Sequence, residues 1–154
     1  MSVVLRKSGD GRPRALLTLG NPGTALVQDI VTATPTVLTF ADANVGFTSM
    51  AGLVAGNAIS VPRDGVYTFG VRGFWEAGTG GALTLALRLN PAVGPSEAFS
   101  IPIVADQDDT NAEEIPLAAQ HTRFLTAGSA LSAQVTQTSG GNLEFNWEAI
   151  FKEE

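Results

Sequence analysis

The sequence has no cysteine, one histidine and no apolar run long enough to cross a bilayer. The first absence excludes disulfides, thiolate metal sites and a cysteine nucleophile. His121 alone cannot form a histidine-pair metal site and reads as a satisfied or solvent-facing residue. No serine sits in a Gly-x-Ser-x-Gly elbow. Gly9-Asp-Gly11 and Gly78-Thr-Gly-Gly81 lack both the Lys-Ser/Thr ending and a following helix, so neither is a phosphate loop. Nothing pairs two carboxylates across a cleft. Together these absences argue against an enzyme.

Positive charge is also scarce. Nine Lys and Arg stand against fifteen Asp and Glu, a net charge of −6, which argues against nucleic acid as a partner. The opening Met1-Ser-Val-Val-Leu-Arg-Lys7 is not followed by an apolar stretch of signal-peptide length. The expectation is synthesis in a cytoplasm, with no membrane partner.

What is present is a core-forming composition, 44% hydrophobic, punctuated by 17 Gly and 8 Pro. That pattern fits many short strands joined by turns in one domain. The central stretch runs from Ile59 to Glu76. Pro62 cannot donate to a ladder and ends a first short strand, Asp64-Gly65 makes a tight turn, and a long strand follows. In it Tyr67, Phe69, Val71, Gly73 and Trp75 share one face, and Val66, Thr68, Gly70, Arg72, Phe74 and Glu76 the other. Leu83, Leu85, Leu87 and Leu89 alternate the same way; at a helical period they would scatter around the circumference. The strand from Leu131 is followed by a Ser139-Gly-Gly-Asn142 turn. A closing strand then places Leu143, Phe145, Trp147, Ala149 and Phe151 on one face. Tyr67, Phe69, Trp75, Phe145 and Trp147 are the expected core aromatics. The fold class is all-β, an antiparallel jelly-roll sandwich.

Shorter strands are expected over 24–32, 37–40 and 98–104, a hairpin around Gly56-Asn57, and a strand from Ile115 to Phe124. A loop is expected over 41–50. Residues 1–23 read as an N-terminal arm and 24–154 as the head. Arg6, Lys7, Arg12 and Arg14 all fall in the first fourteen positions, followed by an apolar Leu16, Leu17 and Leu19. The arm is either frayed or docked on a partner whose acidic surface matches its basic residues.

Phe40 to Phe47, Val61-Pro62, Gly65-Val-Tyr-Thr-Phe69, Ala127-Gly-Ser-Ala-Leu131 and the terminal aromatic strand resemble the globular head of the complement-q and tumour-necrosis-factor superfamily. The resemblance covers residues 36–152 in order. Ser129 stands where the family often has Asp, and no collagen-like repeat precedes the head. The resemblance implies a jelly roll of about ten strands that assembles as a homotrimer. Phe74 and Ile150, apolar residues on otherwise polar faces, are the expected trimer-interface positions.

Asp106, Asp108, Asp109, Asn111, Glu113 and Glu114 form an oxygen-rich run. It reads first as a solvated acidic loop. Calcium is the metal it would take, although the spacing fails the EF-hand pattern. Bacteriophage decoration and tail proteins include heads of this type. The resulting expectation is a non-enzymatic virion protein, a trimeric capsid decoration protein whose arm grips the major capsid protein lattice. The alternatives are a tail-fibre head recognising a surface saccharide or protein, with Trp75 and Glu76 as contacts, and a soluble ligand-type trimer.

Overall fold

The computed structural model describes residues 11–18, 28–40, 45–49, 52–75, 81–107 and 115–154. These residues contain thirteen strands. They are β1 (Arg14–Thr18), β2 (Gln28–Ile30), β3 (Thr36–Val37), β4 (Val45–Thr48), β5 (Val54–Ala55), β6 (Ala58–Ser60), β7 (Gly65–Trp75), β8 (Gly81–Asn90), β9 (Glu97–Ala98), β10 (Ile103–Gln107), β11 (Ile115–Leu125), β12 (Ala130–Gln137) and β13 (Leu143–Glu153). One sheet has the order β11-β7-β13-β1-β4, with β2 also on β13. The other has the order β10-β8-β12-β6-β5, with β3 on β12 and β9 on β8. All pairings are antiparallel.

The two sheets meet through side chains at every second position, as the pleat requires. Tyr67, Phe69, Val71 and Trp75 of β7 point inward, as do Phe145, Trp147, Ala149 and Phe151 of β13. The facing sheet supplies the leucines of β8 together with Leu131 and Val135. Aromatic rings organise this interior. Tyr67 stacks on Phe151 with centroids 5.1 Å apart, and Trp75 lies 4.7 Å from Phe145. Phe40 sets an edge against both Phe69 and Trp147. Pairs of this kind add about 0.5–1.5 kcal/mol each beyond area burial.

Three sequence expectations need correction. Residues 14–18 belong to the sheet and not to an arm. The second edge of β13 stands open beside β7, and β1 fills it in the register Ala15↔Phe151 and Leu16↔Ile150. Ala15 is buried and Leu16 faces outward. The stretch expected as a loop at 41–50 contains β4, which pairs with β1. The strand expected over 98–104 is divided into β9 and β10, with Pro102 and a bend between them. Proline cannot complete a ladder there.

One buried polar side chain ties the end of the sandwich together. Gln137 is fully buried, and its amide nitrogen donates to the carbonyls of Ile30 (2.9 Å) and Gly141 (2.5 Å). Its amide oxygen accepts from the Ser139 N–H and hydroxyl at 2.8 and 2.7 Å. Gln137→Ala would strip its partner from the buried Ile30 carbonyl, while the exposed Gly141 carbonyl keeps the Ser139 hydroxyl. The expected loss is about 1–3 kcal/mol, the cost of one stranded buried group. It would appear in urea denaturation as a lower midpoint with an unchanged slope.

Candidate functional site

The outward face of the six-stranded sheet is the candidate interaction surface. Cross-strand register arranges it in five rows. From one end these are Pro116–Phe74–Asn146, Ala118–Arg72–Glu148, Gln120–Gly70–Ile150–Leu16 and Thr122–Thr68–Lys152–Arg14. The last is Phe124–Val66, where Glu154 adds its N–H to the Val66 carbonyl. Phe74 is 52% exposed, Phe124 58%, Val66 43% and Leu16 37%, while Ile150 is half-buried. Apolar rows thus alternate with polar ones over about 26 Å, the length of eight extended residues. Isolated apolar side chains on a surface are ordinary, but an ordered series on one sheet face makes it a candidate interface.

The polar rows are internally paired. Arg72 and Glu148, direct cross-strand neighbours, form an ion pair between a depression of about 590 Å3 beside Phe74 and one of about 380 Å3 over Gly70 and Ile150. Thr68 is buried on this face, and its hydroxyl lies 2.5 Å from Glu154 Oε1 and 2.6 Å from the Thr122 hydroxyl. A carboxylate only accepts, so Thr68 donates to Glu154 and Thr122 donates to Thr68. Lys152 Nζ lies 3.0 Å from the same Glu154 oxygen.

The Thr68 hydroxyl, then Lys152, hold the Glu154 carboxyl below the usual carboxylate range. A lowered value means that the bond contributes stability above the ordinary carboxylate pKa. That contribution is lost as pH falls through the lowered one. Thr68→Val should move the Glu154 titration upward towards its ordinary value, as read from the side-chain carbon shifts by NMR.

A second apolar surface lies at the margin where β11 and β10 form the adjacent outer strands of the two sheets. Ile101 is 84% exposed and Val104 59%, and Ile103 is partly exposed. Ile101 and Ile103, with Phe99, Pro102 and His121, edge a hollow of about 740 Å3. His121 is exposed and sets its ring against Phe99, a buried core residue, at 5.5 Å.

The residues singled out in the sequence are distributed as follows. Tyr67, Phe69, Trp75, Phe145 and Trp147 are buried, and Phe74 and Ile150 lie on the outward face at opposite sides of Arg72 and Glu148. Arg14 is the outward cross-strand neighbour of Lys152. Its N–H donates to the Ser49 hydroxyl, which in turn donates to the Arg12 carbonyl. Leu17 continues β1. Arg6, Lys7, Leu19, Glu76, Asp108 and Asp109 lie outside the described residues, and Asp106 is in β10 opposite Ala82. Among the described residues, no three of His, Asp and Glu converge on a point that would hold a metal ion. Sequence reasoning missed Val66, Phe124 and the margin isoleucines. Phe124 carried a usable signal, two residues on from Thr122 and four from Gln120 in a strand of alternating polarity.

Neither a family model nor a curated protein matches the sequence. Solved structures do match its fold. Murine APRIL superposes with a TM-score of 0.65 at 11% identity, over 93% of this chain and 99% of that one. Eiger TNF from S. frugiperda gives 0.62 at 14% identity, over 93% and 92%. The globular domain of zebrafish complement 1qA protein gives 0.62 at 13% identity, over 90% and 94%. The architecture is therefore the jelly roll of tumour-necrosis-factor and complement-q heads.

Proposed function

We propose that this chain is a non-enzymatic structural head that acts without a cofactor, assembles as a homotrimer and decorates the lattice of a virion. The observation that carries the reading is the outward face of the six-stranded sheet, with Phe74, Val66, Phe124 and Leu16 open to solvent in a single copy. The margin bearing Ile101 and Val104 is a different surface of comparable character. Two unlike apolar surfaces on one chain favour a head-to-tail contact, and such contacts close into rings when the rotation permits. The jelly-roll architecture of the structural relatives supports three copies. The lattice reading draws on the basic run Arg6, Lys7, Arg12 and Arg14, which suits an acidic protein surface better than a saccharide. Three copies of one basic segment would bind together far more tightly than one.

Two measurements test the reading separately. Light scattering should give the mass of three chains at micromolar concentration, and a stable single copy would refute the assembly. Removing residues 1–10, which takes away Arg6 and Lys7 of the four basic residues, should preserve the trimer and weaken co-sedimentation with the shell. Undiminished co-sedimentation would refute the lattice role.

A further inference from the structure

The chain has one histidine and no cysteine, so His121 is its only side chain whose ordinary titration falls between about pH 5 and 8. The fold places it at the margin. In β11 it takes the same side as the buried Leu117, Ala119 and Leu125. That strand is the last of its sheet, so the imidazole stays exposed while its ring meets Phe99 at 5.5 Å. Among the described residues that line the hollow of about 740 Å3, His121 is the only ionisable one.

The charges around it are few. Arg123, two residues on, reaches the same Phe99 ring with its guanidinium carbon 6.0 Å from the centroid, and it binds Glu97 at 3.0 Å. β7 sets the apolar Phe69 opposite His121, and β8 turns leucines inward. Asp106, the one charged residue of β10, does not line the hollow. A proton on His121 would therefore set a second cation against a ring that already carries one, with Glu97 engaged elsewhere. The outward face offers it little relief. Glu148 and Glu154 are paired there with Arg72 and Lys152, and Arg14 adds positive charge. Asp29 and Glu144, cross-strand neighbours beyond the Phe74 row, are the other described carboxylates on that face.

We infer that His121 makes assembly proton-sensitive: copies join with its imidazole neutral, and protonation parts them. The inference rests on the head-to-tail reading, in which a neighbour's outward face covers the margin, and it adds how that contact is regulated. Covering the hollow takes His121 out of water into apolar surroundings, which disfavours its charged form. The assembled state then binds fewer protons than the separate copies. Association is strong above the histidine range and weakens as pH falls through it.

Sedimentation equilibrium of the full-length protein at pH 7.5 and 5.5, both above the usual carboxylate range, tests this. For a histidine that must enter the contact neutral, the drop weakens association about tenfold per copy, or up to ~10^3-fold in the trimer constant. His121→Gln should give the same constant at both pH values. His121→Arg should be as weak at pH 7.5 as the natural chain is at pH 5.5. A trimer indifferent to pH would overturn the inference, and so would an undiminished pH dependence in His121→Gln. Tightening at pH 5.5 would overturn it in favour of an ion pair between His121 and Asp29 or Glu144 of the neighbouring copy. Single copies at pH 7.5 would sink the assembly reading and this one together, so the two fail in different ways.

Discussion

Phe74→Glu is expected to convert the assembled protein into folded single copies. The side chain is half exposed in one chain, so the substitution creates no cavity and strands no core partner. Its circular dichroism and urea midpoint should stay close to those of the natural chain measured as a monomer. The effect falls on association. Fully burying a phenylalanine contributes about 1.5–3 kcal/mol, and association covers the half of Phe74 still open. Three copies per trimer therefore lose about 2–4.5 kcal/mol before any penalty for burying three carboxylates, or roughly 50- to 2000-fold in the association constant. Phe124→Glu, at the far end of the same face, should act the same way and serves as an independent check. Light scattering at micromolar concentration reads both, and an intact trimer in either would remove the outward face from the interface.

The second large effect is inside. Gly73 lies near the end of β7, paired with both β11 and β13, where a β-carbon would clash with the Asn146 carbonyl oxygen and sit 2.6 Å from the Phe145 ring. Those neighbours are a backbone and a packed aromatic, so neither can yield without opening the central pairing. Gly73→Ala is expected to cost about 3 kcal/mol, the upper part of the overpacking range. For a chain of this length that lowers the melting temperature by roughly 6–12 °C. Gly141→Ala is the control. A β-carbon there meets nothing within 4 Å, and its change should stay within about 0.5 kcal/mol. Calorimetry showing both variants equally stable would refute the close packing at Gly73.

Much of the sandwich was legible in the sequence, because its long strands each bury one face and so carry an unambiguous period of two. The leucines of β8 and the aromatics of β7 and β13 are of this kind. β1 was not legible for a physical reason. Arg-Ala-Leu-Leu-Thr has its inward position filled by a small alanine and an outward one by Leu16, so its alternation runs against its hydropathy. Strands of two to four residues such as β3, β4 and β5 are too short to show any period; pairing partners define them, not composition. At the interaction surface Phe74 stood out against Arg72 and Glu76. Val66 did not, because a valine after a turn reads as the start of any strand. Thr68 was hidden for the opposite reason: a threonine on a polar face gives no hint that a carboxylate will cover it.

The position of β13 has a consequence for how the protein is made. It lies between β7 and β1, so until residues 143–153 have left the ribosome the six-stranded sheet exists only as separate fragments. β7 and β11 can pair as soon as they emerge, but β1, made well before β13, has no neighbour on its β13 side until residues 143–153 arrive. Nascent chains should therefore stay open until β13 has been made, with their aromatic faces wet. Closure of the sheet, and any association through its outward face, must follow the synthesis of β13.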